Sequence, residues 1–119
     1  MSVRDVVAGY YEAWADGKGD FSGVPLAPDF AFTGPVGSFD SAEGFRAMAG
    51  EAGPLVTRFV VRRQFVDGGT VCSIIDWEMA LPVAPMTSAE ILQVRDGEIV
   101  TGELIYDAQE LRGVMAARA

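Results

Sequence analysis

Glu90 is the residue whose type and position most clearly invite chemistry. In the run AEILQVR, period-two alternation places it on one strand face with Leu92 and Val94. A carboxyl on an apolar strand face is costly unless it has a partner or a task. Desolvation raises its pKa toward neutrality, where it can donate to a substrate oxygen or serve as general acid or base. A register slip of one residue would turn it to solvent instead. A pocket gives the buried carboxyl a purpose, and that is the reading preferred.

Tyr10 lies on the apolar stripe of a helix, and its hydroxyl needs a partner once buried. It is the candidate to assist Glu90, with simple packing as the alternative. Beyond Asp96-Gly97, one strand face carries Gly102, Leu104 and Tyr106. Tyr106 would line the far wall of a cavity, and Gly102 would widen it by lacking a side chain. Trp77 shares a face with Val71, Ser73, Ile75 and Met79 and is expected in pocket wall or core. Asp76 then points the other way, beside Glu78. A bulge in that strand would exchange the faces and make Asp76 a further general base. The catalytic candidates are therefore Glu90, Tyr10 and Asp76. The substrate-binding candidates are Phe32, Trp77, Gly102, Leu104 and Tyr106.

Composition narrows the chemistry. The chain of 119 residues has no histidine, which removes Ser-His-Asp and Cys-His nucleophile systems and histidine-based metal sites. No metal and no cofactor are expected, and protons must be handled by carboxylates, tyrosines, lysine or water. With 17 acidic against 9 basic residues the formal charge is −8, so nucleic acid and anionic membranes are poor partners. A hydrophobic small molecule is the expected partner. Cys72 stands alone and reads as a small buried hydrophobe. No secretory signal is visible and no apolar run reaches the ~20 residues of a membrane span, so the cytoplasm is the expected compartment.

The elements that must position these groups follow from local pattern. Ser2 can cap a helix with Val3, Val6, Val7, Tyr10, Tyr11 and Trp14 at helical spacing, stopped by Gly17 and Gly19. Residues 21–28 read as a turn of helix and a loop, and 29–33 as a short strand closed by Gly34-Pro35. Asp40 and Glu43 have capping-box spacing for a second helix bearing Phe45 and Met48, through about Ala52. From Leu55 a strand sets Phe59, Val61 and Phe65 against Val60, Arg62 and Gln64, up to the turn at 67–69. Val71 to Leu81 is the next strand, with Pro82 and Pro85 interrupting. The Asp96-Gly97 hairpin completes the sheet, and 108–119 reads as a short helix or tail. Arg58, Arg62 and Arg63 are expected to pair across strands with Asp76 or Glu78. Helices first and a strand meander afterwards give one α+β domain over residues 1–119.

The segments VVAGYYEAWADG, LAPDFAFTGPVGSFDSAEGF and DGEIVTGELIYD span almost the whole chain. Together they resemble the nuclear transport factor 2-like superfamily, which includes ketosteroid isomerases, SnoaL-like polyketide cyclases, scytalone dehydratases and limonene epoxide hydrolases. The resemblance implies a cystatin-like cone, a curved, mostly antiparallel sheet wrapped around the N-terminal helices, with an apolar pocket at its open end. It also implies a homodimer through the outer sheet face. Tyr10 and Glu90 fall where ketosteroid isomerases keep the two donors to the developing oxyanion. The isomerase base, a carboxylate before Pro-Val-Gly-Ser, is replaced by Gly34. Of the limonene epoxide hydrolase pattern, Leu104 and Ile74 stand where an Asp and an Arg would be, and Asp76 alone matches. The resemblance therefore implies a cofactor-free isomerase, cyclase, dehydratase or hydrolase, or a non-catalytic binding protein of the same fold.

Overall fold

The structure is a computed structural model that describes residues 2–118. Helix α1 (Val3–Ala15) starts as its sequence dictates. The Ser2 side chain accepts from the Asp5 amide, and the Asp5 carboxylate reaches back to the Ser2 amide. The helix ends at Ala15 with Asp16 as its cap, and the chain turns away where Lys18 and Gly19 adopt positive φ. Gly19 is required there for a second reason, since a Cβ would stand 1.9 Å from the Ala49 carbonyl oxygen of the second helix.

Strand β1 (Leu26–Gly34) is longer than its residue pattern suggests and contains Pro28. The pairing with β6 is irregular between Leu26 and Ala31, so Pro28 sits where no ladder donor is needed. Gly34 then turns into β2 (Gly37–Phe39), a strand too short to show alternation. Helix α2 (Ala42–Ala52) is capped by Ser41, whose hydroxyl accepts from the Gly44 amide at 3.0 Å. The cap is therefore Ser41 and not Asp40, because Ser41 holds the extended cap conformation, and with Gly44 at the third helical position no reciprocal box forms.

Strands β3 (Val56–Asp67), β4 (Thr70–Met79), β5 (Met86–Arg95) and β6 (Glu98–Ile105) form the antiparallel meander, followed by α3 (Gln109–Arg118). The β5–β6 turn uses positive φ at Asp96 and Gly97, as a two-residue hairpin requires. The six-stranded sheet has the order β2-β1-β6-β5-β4-β3, with β1 parallel to β6 and the other pairs antiparallel.

The sheet departs from simple alternation at Arg62. Val61 pairs with Ile75 while Arg63 pairs with Ile74, so Arg62 is an extra residue and the faces of β3 exchange beyond it. Phe65, expected beside Phe59 and Val61, is 56 % exposed on the outer face. Gln64 turns inward and donates to the Ser73 hydroxyl. By contrast β4 keeps unbroken register with β5.

α1 and α2 pack on the inner sheet face around a cluster of aromatic rings. Phe45 of α2 is its hub, with ring centroids of Tyr10, Phe21, Phe30 and Phe32 within 5.1–6.0 Å. No described helix is long and apolar enough to cross a membrane.

Candidate functional site

A cavity of about 450 Å³ opens between the inner sheet face, α1, the β1–β2 hairpin and α3. Its wall is overwhelmingly apolar: Trp14, Phe39, Phe59 and Ile75 line it together with Phe32, Trp77 and Leu104. The polar groups it borders are few. Tyr10 and Glu90 belong to the wall, as do Tyr106 and, from the last turn of α3, Arg118.

Glu90 is 3 % exposed, and its Oε2 accepts a hydrogen bond from the Tyr10 hydroxyl at 2.8 Å. Helical spacing puts Tyr10 on the buried face of α1, and strand alternation puts Glu90 on the buried face of β5, so the two meet across the core. Removal from water pushes the Glu90 carboxyl up from 4.5 to about 7; the hydrogen bond from Tyr10, and the Tyr11 hydroxyl nearby, oppose that rise without cancelling it. Burial, with the nearby carboxyl adding to it, pushes the Tyr10 hydroxyl well above its ordinary value. Tyr10 therefore keeps its proton, and Glu90 exchanges its own near neutrality. That division of labour suits a donor beside an acid–base group.

Trp77 is held by a 2.6 Å hydrogen bond from its indole nitrogen to the buried Ser88 hydroxyl. Tyr106 meets it edge-on at 5.2 Å. Partial burial raises the Tyr106 hydroxyl, and Arg112 works against that rise. Helix α3 closes part of the mouth with Leu111, Met115 and Arg118, which recur on one side at helical spacing. It is tied down by Arg112, which donates to the Pro35 carbonyl at 2.7 Å, and by Glu110, which accepts from the Ala84 amide.

The structure gathers Tyr10, Phe32, Trp77, Glu90, Leu104 and Tyr106 around one cavity. Two candidates lie elsewhere. Asp76 is on the outer face, bound by Arg62 at 2.8 Å and by the Thr87 hydroxyl at 2.7 Å. These partners hold its carboxyl below the usual range, Arg62 being the larger cause. The bulge that would have turned it inward sits in β3, not in its own strand. Gly102 does face inward, but a Cβ there would stand 3.2 Å from Phe32 and Leu92 atoms and 3.3 Å from Phe30. The space it leaves is filled by rings, so it serves packing and not cavity volume. Sequence reasoning missed Trp14 and α3 as parts of the wall. The stripe of α1 that includes Trp14 was visible; which end of it would border a cavity was not.

An α+β cone with an apolar cavity over an inward carboxyl defines a nuclear transport factor 2-like domain. More narrowly, the chain belongs to the SnoaL-like domain family, whose sequence pattern matches residues 7–102. Among curated proteins none matches significantly. Solved structures of the same fold include a nuclear transport factor 2-like protein of unknown function from Cytophaga hutchinsonii (TM-score 0.81, 22% identity, covering 94% of this chain and 96% of that one). A steroid delta-isomerase from Pseudomonas aeruginosa is similar at TM-score 0.76 and 20% identity, covering 98% and 90%. An LEH-like epoxide hydrolase from M. tuberculosis is similar at TM-score 0.75 and 13% identity, covering 96% and 90%.

Proposed function

We propose that this protein binds a hydrophobic, oxygenated small molecule and transforms it, without a cofactor, by proton transfer through Glu90 with Tyr10 assisting. The observation that carries this reading is the buried Tyr10–Glu90 pair on the wall of an otherwise apolar cavity. A carboxyl that titrates at about 7 can be acid or base under one set of conditions. Isomerisation, cyclisation, dehydration and hydrolysis all draw on such a group. The isomerase and hydrolase among the fold relatives support small-molecule chemistry in this architecture. Homodimerisation through the outer sheet face belongs to the same proposal, supported by the exposed Val60, Phe65 and Ile105.

A second reading, a binding protein without turnover, is favoured by Gly34 and Leu104. Both border the cavity, where carboxylates would serve the isomerase or hydrolase mechanisms. Calorimetric titration with apolar cyclic ketones, paired with turnover assays, separates the two. For an enzyme, Glu90→Gln abolishes turnover and leaves affinity within about tenfold, ~1.4 kcal/mol. Lost affinity in that variant, with no turnover by the native chain, identifies a binding module.

Gly34→Asp tests the correspondence with ketosteroid isomerases directly. The new Cβ would lie 3.1 Å from the Phe32 ring, which must yield slightly. Weak ketosteroid isomerisation by this variant is the expected result. A folded variant that binds steroid and leaves the double bond in place would show that position 34 does not reach the reacting carbon.

A further inference from the structure

Tyr11 is a buried polar residue that the Tyr10–Glu90 pair leaves unused. Consecutive helix residues point about 100° apart around the axis, so Tyr10 and Tyr11 approach β5 from different sides. Tyr10 lines the cavity and Tyr11 does not. The Tyr11 ring packs edge-on against Tyr10 at 5.2 Å and tilts over Phe59 at 6.0 Å. Its hydroxyl is enclosed yet completes no hydrogen bond, although Glu90 and Ser73 are its polar neighbours. A buried hydroxyl without a partner is costly enough to require a reason.

The surroundings supply one. Ser73 stands opposite Glu90 in the β4–β5 ladder and accepts from the Gln64 amide at 3.1 Å. Tyr10 and Tyr11 face the carboxyl from α1, Ser73 faces it from β4, and Leu104 is its partner on β6. No charged side chain of the described residues is among the groups that perturb it. A neutral carboxyl carries its own proton and needs one outside donor, which Tyr10 provides. A carboxylate in the same dry place has an acceptor to spare.

We propose that Tyr11 is a positioning residue for Glu90, donating a hydrogen bond from its free hydroxyl to the second carboxyl oxygen when Glu90 ionises. The proton released by Glu90 goes to substrate or solvent, and Tyr11 keeps its own while donating. The carboxylate is then held from two directions, with its orientation toward the cavity fixed before it acts as a base. This inference rests on Glu90 being the acting group, but its test needs no substrate, so the two can fail separately.

The test is carbon-13 NMR of the full chain, labelled at glutamate carboxyls and tyrosine ring carbons, followed across neutral pH. In the native protein the Tyr11 Cζ resonance should move with the same midpoint as the Glu90 carboxyl. In Tyr11→Phe the Glu90 midpoint should rise by about one pH unit, a roughly tenfold change in proton affinity, because a donor to the charged form is gone. A Tyr11 resonance indifferent to the Glu90 transition overturns the proposal. So does a Tyr11→Phe protein whose denaturant midpoint changes while the Glu90 titration stays put, since Tyr11 then only packs. Should that variant not fold, the native Tyr11 resonance decides the matter.

Discussion

Glu90→Gln is expected to be more stable than the native chain at pH 8, by on the order of 3 kcal/mol, and close to it at pH 5. The carboxyl titrates at 4.5 in an ordinary setting and at about 7 in the folded protein. Between those values the folded state holds a proton that the unfolded chain has released. Stability from this group is therefore complete below the lower value and is lost as pH rises through the upper one. Glutamine has no such transition, yet its carbonyl can still accept from Tyr10. Urea midpoints of the two proteins at both pH values measure the effect, and their difference cancels the other acidic groups. Parallel pH dependence in the two proteins would mean that the native carboxyl is hydrated. A residue kept at a cost to stability is what a working site leads one to expect.

Phe45→Ala is expected to cost about 4 kcal/mol, on the order of 15 °C in Tm. The side chain is fully buried. Its ring lies 6.0 Å from Tyr10, nearly parallel, and within 5.1–6.4 Å of Trp14, Phe21, Phe30, Phe32 and Phe39. These rings come from α1, the segment after it, β1 and β2, so no single neighbour can move to close the gap. The variant should also bind ligands more weakly, because Tyr10 loses the ring that sets its angle. Thermal denaturation gives the first quantity and calorimetry the second. A loss below about 1 kcal/mol would show that the cluster collapses over the missing ring.

Period-two alternation located β4 and β5 because each is half buried and they keep register on one another, and in β6 it holds from Gly102 onward, beyond an extra residue at Val100. The same rule put Glu90 inside and Asp76 outside, and the capping chemistry of Ser2 set the start of α1. It failed at Phe65, because a bulge at Arg62 leaves no mark in the spacing of side chains. It failed at β2, where three residues cannot display a period. Gly102 showed that a side chain was absent but not what fills the space; the answer lies with Phe30 and Phe32, some seventy residues earlier in the chain. The part played by α3 was hidden for a related reason. Leu111 and Met115 gain meaning only once the hairpin at Pro35 and the loop at Ala84 give the helix something to lean on.

The chain has two indoles, Trp14 and Trp77, and both border the hollow. One rests among phenylalanines and the other donates to Ser88, so they sit in dissimilar electrical surroundings. Any compound that enters disturbs both emitters at once, and the protein thereby reports its own occupancy as a change in ultraviolet emission, with no dye attached.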